Sequence, residues 1–100
     1  MDLSEFEEID WDPEEDQHGN LAHCLESRVT ERVVWQVLRE EPVEIKMRLQ
    51  TAEWAIVGPD SGGAMWTLLF DRSWKRGDWL RPVTGWESEP QEIADWKRGR

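Results

Sequence analysis

The chain of 100 residues has one cysteine, no tyrosine, two phenylalanines, and only 12 basic residues against 22 acidic ones. A lone thiol, Cys24, excludes an internal disulfide and any site built from several thiolates. No apolar run reaches the roughly 18 residues that signal a membrane-spanning helix. The opening Met1-Asp2-Leu3-Ser4-Glu5 is acidic where a signal peptide is basic and then apolar, so a cytoplasmic protein is expected. What the chain does have is tryptophan. Eight Trp residues within a hydrophobic content of 38% can offset an ordering cost of roughly 100–200 kcal/mol. One folded domain over 6–100 is expected, behind a polar tail over 1–5.

The formal charge of −10 is unevenly placed. Residues 1–20 carry nine acids and no Lys or Arg, a local charge of −9. Residues 45–81 carry six basic groups against four acids, a local charge of +2. As a whole the molecule repels nucleic acid at long range, because Lys and Arg contacts to phosphate supply most non-specific affinity. RNA contact is disfavoured by this balance and has to be local. The plainer reading of the acids is a coat that keeps the chain soluble.

Phe6 to Trp11 reads as a short strand, with Ile9 and Trp11 at period-two spacing. Asp12-Pro13-Glu14-Glu15 has the chemistry of a helix start, and a helix is expected from there to about Ser27. Gly19 weakens its early part by about 1 kcal/mol relative to Ala. Thr30 caps a second helix, with Val34, Val37 and Leu38 as its buried stripe, and Glu41-Pro42 ends it. From Val43 apolar and polar residues alternate through Leu49, as in a strand with one wet face. Trp54 to Val57 and Ala64 to Phe70 are further strands, the latter apolar on both faces and therefore central. Trp79 to Val83 is the last, and Pro82 places it at an edge or a bulge. Ser88 and Gln91 stand at capping-box spacing before a closing helix with Ile93 and Trp96 inward. The expected class is α+β: an antiparallel sheet of three to four strands with two N-terminal helices and one C-terminal helix.

Several chemical signatures fail. Pro59-Asp60-Ser61-Gly62-Gly63 is similar to the nucleophile segment of trypsin-like proteases, but Pro, Asp and Gly each suit a hairpin turn. Asp10, Asp12 and Glu14 start like a calcium loop, yet Glu15 stands where glycine is needed and Leu21 where the bidentate Glu belongs. His18 and His23 fall on different faces of a helix, so no metal site is expected, and no cofactor loop is present. Cys24 reads as a small buried hydrophobe rather than a reactive thiol. Trp11, Trp54, Trp66 and Trp96 occupy inward positions. Trp74 and Trp79 flank Lys75, Arg76 and Arg81, where aromatics among cations either stack on bases or cover the end of a thin sheet.

Trp11-Asp12-Pro13, Asn20-Leu21-Ala22-His23, Val29-Thr30, Val34 and Val37-Leu38 together resemble the BrnT toxin family. Leu80-Arg81-Pro82-Val83-Thr84-Gly85-Trp86 stands in the place of that family's last strand. The resemblance implies an α+β fold related to RelE-type toxins, a metal-free ribonuclease activity that blocks translation, and a cognate antitoxin as partner. It implies that Arg81 matches a basic position of the last strand and His23 the helix histidine. Trp86 replaces the family's Arg after that strand, and Glu87 to Glu92 replaces a basic closing helix with an acidic one.

Two functions therefore stand side by side. In a ribonuclease, His23 and Arg81 are the catalytic candidates, Arg72, Lys75 and Arg76 hold phosphate with Arg81, and Trp74 or Trp79 stacks a base. In a non-catalytic interaction module, the acidic N-terminal face meets a basic protein, and the Trp-rich edge buries against another subunit.

Overall fold

The structure is a computed structural model that describes residues 3–47 and 52–100. Its class is α+β, with three helices and a five-stranded mixed sheet. The strands are β1 (Glu8–Ile9), β2 (Val43–Ile45), β3 (Trp54–Pro59), β4 (Met65–Arg72) and β5 (Trp79–Glu87). The helices are α1 (Asn20–Glu26), α2 (Glu31–Arg39) and α3 (Pro90–Gly99). Spatial order in the sheet is β1-β5-β4-β3-β2, with β4 central as its two apolar faces required. The fifth member, beyond the expected three to four, is β1, the strand expected over Phe6 to Trp11, which spans only Glu8–Ile9 and joins the sheet at its edge. It runs parallel to β5 through Glu8↔Trp79 and Ile9↔Leu80, so the sheet is mixed rather than purely antiparallel.

The alternation along β4 sends side chains to two separate cores. On one face Trp66, Leu68 and Phe70 join Ile9, Cys24, Val29, Val34, Val37, Ile56 and Leu80 beneath α1 and α2. On the other face Leu69 joins Ile45, Ala55, Val57 and Trp96 beneath α3. Trp66 and Trp96 are buried, while Trp11 and Trp54 are half-buried against the first core.

Local chemistry sets the boundaries. Thr30 caps α2, its Oγ1 accepting from the Val33 amide at 3.1 Å. The cap of α3 lies one residue beyond the expected Ser88: Glu92 accepts the Glu89 amide at 2.8 Å, with Pro90 at the first helical position. β5 continues through Glu87, and Pro82 sits at a bulge, where register slips between Leu69 and Phe70 and leaves Val83 as the extra residue. Pro59 to Gly63 is a hairpin turn: Asp60 Oδ1 accepts the amides of Gly62 and Ala64, and Oδ2 accepts Trp66 Nε1–H at 3.0 Å. That indole hydrogen bond, ahead of the backbone amides, holds the Asp60 carboxyl below its ordinary pKa.

One expectation is corrected. The first helix starts at Asn20, not at Pro13, because 12–19 is a set of turns closed by separate backbone and side-chain hydrogen bonds rather than a helical ladder. Leu3–Glu5 forms a single 3₁₀ turn, with Leu3 packed against the first core. The expected continuation of β2 to Leu49 falls partly on 48–51, outside the described residues.

Candidate functional site

The richest polar cluster joins the chain after β1 to the start of α1 and to the 73–81 segment. Asp10 and Asp12 lie on the period-two face opposite Ile9 and Trp11. Asp10 is 2% exposed, and a carboxylate so deep needs cations and donors. Arg81 on β5 supplies them, reaching Asp10 Oδ2 at 3.3 Å and Asp12 at 3.1 and 2.6 Å. Lys75 Nζ stands 3.7 Å from both Asp10 Oδ1 and Asp12 Oδ1. The buried Ser73 hydroxyl donates to Asp10 Oδ2 at 2.7 Å and accepts the Lys75 and Arg76 amides at 3.1 and 3.3 Å.

Asn20 completes the arrangement. Its Nδ2 donates to the carbonyls of Asp10 and Pro82 at 2.9 and 2.8 Å, and its Oδ1 accepts the Asp12 amide at 2.8 Å. The Asn20 amide in turn donates to Asp12 Oδ2 at 2.9 Å. The Arg81 hydrogen bonds, and after them this amide, hold the Asp12 carboxyl down at about 2. The same bonds to Asp12 raise the Arg81 pKa above its already high ordinary value. Arg81 and Lys75 each face the carboxylates of Asp10 and Asp12, and the cluster is a clasp of opposed charges.

The candidate RNA-binding residues are distributed around this clasp in a consistent way. Arg81 and Lys75 belong to it. Arg72 donates to the Gly77 carbonyl at 2.5 Å, pairs with Glu5 at 3.5 Å, and lies 5.0 and 5.7 Å over the rings of Phe6 and Trp54. Arg76 pairs with Asp78 at 3.4 Å and stacks over Trp79 at 5.3 Å. Trp74 is 80% exposed, with Lys75 Nζ 5.3 Å from its ring centroid. His23 is exposed on α1 and faces Glu26 at 3.5 Å, with no hydrogen bond or ion pair to Arg81. The structure brings Arg81 and Lys75 together, but around carboxylates, and leaves His23 apart.

Sequence reasoning missed Asp10 and Asp12 as the organisers of this region. The available signal was their alternation with the apolar Ile9 and Trp11, which sets acids beside a core. It also missed Glu92, which is 7% exposed on α3 and accepts from Thr67 Oγ1 and Trp86 Nε1, both at 2.9 Å. Trp86 thus fills a structural position between β5 and α3. Cys24 is fully buried, and its thiol pKa is pushed up to about 11 by loss of solvent.

Among the described residues no group of three or more His, Cys, Asp or Glu side chains is placed to hold a metal ion. No helix among them is long and apolar enough to cross a membrane. No protein-family model, curated protein or solved structure matches the chain.

Proposed function

We propose that this chain is a cytoplasmic, non-catalytic protein-interaction module whose acidic N-terminal face receives a basic partner. One observation carries the reading. The four cations of the 72–81 segment are each paired with a carboxylate of this same chain, through Glu5, Asp10, Asp12 and Asp78. Phosphate competing for them has to displace those carboxylates within a molecule of net charge −10. The exposed acids Glu14, Glu15 and Asp16, by contrast, pair with no cation among the described residues and crown the turns that lead into α1. They form the attractive half of a contact with a Lys- or Arg-rich surface.

The test is titration of the whole protein with an arginine-rich synthetic peptide across a range of salt. Binding should weaken steeply with ionic strength, and E14K/E15K/D16K should lower affinity by about tenfold or more without changing the far-UV spectrum. Absence of binding at low salt overturns the reading.

The second reading is the BrnT-like ribonuclease of a toxin–antitoxin pair. It is favoured by the exposed Trp74 with Lys75 beside it, a surface on which a base can stack. Arg81→Ala is a poor probe of that activity because it opens the clasp. His23→Ala and Arg76→Ala change exposed groups and are the cleaner choice. Growth arrest and RNA cleavage that vanish with either substitution would establish the nuclease and displace the module.

A further inference from the structure

Away from the clasp, the outer face of α2 presents Arg32, Trp35 and Arg39 at helical spacings of three and four. Trp35 is 37% exposed, and Arg39 lies 5.8 Å over its ring. Neither arginine makes an ion pair among the described residues, unlike the four cations of the 72–81 segment. Trp35 and Arg39 form one rim of a cavity of about 160 Å³. Its floor is apolar, from Phe6, Ile9, Leu38 and Leu80. The opposite rim is Glu7 and Glu8, exposed carboxylates that likewise make no ion pair among the described residues.

Such a patch has an apolar centre, a positive edge and a negative edge. A basic partner is repelled by Arg32 and Arg39, and an anionic one by Glu7 and Glu8. A second copy of the same chain suits both edges, because a two-fold rotation sets each positive edge against the other's negative edge. We infer that this face is an isologous self-association surface. Trp35 of each copy enters the groove between α2 and β1 of the other, and Arg32 and Arg39 meet the other's Glu7 and Glu8. This deepens the interaction-module reading by naming one partner, and it uses none of Glu14, Glu15 or Asp16. Copies of charge −10 repel at long range, so the contact forms best at physiological salt, where distant charges are screened to about 8 Å.

Sedimentation velocity of the full chain, from micromolar to near-millimolar concentration at physiological salt, tests it. A reversible dimer is expected, weakened about thirtyfold by Trp35→Ser, the loss typical of a central aromatic anchor. R32E/R39E and E7R/E8R should each be monomeric, and an equimolar mixture of the two should form a heterodimer. A wild-type monomer throughout, a dimer indifferent to Trp35→Ser, or a mixture that stays monomeric overturns the inference. If arginine-rich peptide still binds in any of those cases, the interaction-module reading survives and only self-association falls.

Discussion

Both terminal nitrogens of Arg81 close on Asp12, at 3.1 Å to Oδ1 and 2.6 Å to Oδ2, and one of them also reaches Asp10 at 3.3 Å. This fork ties the last strand to the turn that precedes α1, two places far apart in sequence. Its strength depends on proton occupancy. Folded Asp12 titrates at about 2 against an ordinary 3.8, so the unfolded chain binds the proton more readily. Stability from the pair is therefore complete above 3.8 and is lost as pH falls through about 2. The contribution is about 2 kcal/mol. Urea unfolding as a function of pH should show this acid loss, and Asp12→Asn should flatten the slope across that window. An unaltered slope in the variant means that other carboxylates carry the acid sensitivity.

Removing the cation is the harsher change. Arg81→Ala leaves Asp10, 2% exposed, with Lys75 at 3.7 Å as its remaining cation. Breaking a buried pair from one side costs about 3–5 kcal/mol. Denaturant midpoints should fall accordingly, with Arg81→Lys recovering part of the loss because a point charge cannot reproduce the fork. A loss below about 1 kcal/mol, the level of a surface pair, would show that the clasp is solvated and loosely held.

Gly19 separates two views of the N-terminal region. Read as an interior helical residue, its replacement by Ala is worth about 1 kcal/mol of added stability. In the structure Gly19 is instead the N-cap of α1, and a Cβ there meets Asp12 Cβ at 2.6 Å and the Asp16 carbonyl at 3.2 Å. Gly19→Ala should therefore destabilise, by about 1–3 kcal/mol as for overpacking elsewhere. Thermal denaturation gives the sign directly. A rise in Tm would restore the longer helix.

Much of the fold is written in local patterns. Alternation from Val43 marked β2, the two-faced apolar run of β4 marked the sheet centre, and Thr30 marked the start of α2, each because a single residue or period decides the outcome. The start of α1 was not legible in the same way. Asp12-Pro13-Glu14 has sound capping chemistry, but the Asp12 amide is claimed by Asn20 and the Asp12 carboxylate by Arg81, which lie 8 and 69 residues away. The parallel pairing of β1 with β5 is likewise non-local. So is the fate of the cations: composition shows that the 72–81 segment is basic, but not which carboxylates fold back onto it.

Glu92 is the counterpart of that clasp on the opposite face of the sheet. Its carboxylate accepts from Thr67, Trp86 and the Glu89 amide, joining β4, β5 and the first turn of α3. Glu92→Ala removes the cap and one of two partners of the buried Thr67 hydroxyl, which keeps Ser88 Oγ at 2.9 Å, costing about 1–2 kcal/mol. Trp86→Phe removes a single hydrogen bond to a charged acceptor and should cost about 1.5–3 kcal/mol, much of it from the same network. Because the two residues touch, the double variant should cost less than the sum. Strict additivity would mean that Trp86 and Glu92 act separately.

Cys24 offers a reporter of opening. Its side chain is fully buried in the core beneath α1 and α2, and its pKa of about 11 leaves almost no thiolate near neutral pH. A disulfide reagent should therefore label the native protein only through opening of α1, at a rate that climbs with urea. Variants that weaken the clasp, Arg81→Ala above all, should label faster than wild type even without denaturant, because Asn20 and Asp12 anchor the first turn of that helix. Glu92→Ala, on the far face of the sheet, should accelerate labelling only as far as it lowers global stability. Rapid labelling of the folded wild type would mean that α1 does not seal the core, and with it the clasp would lose its structural role.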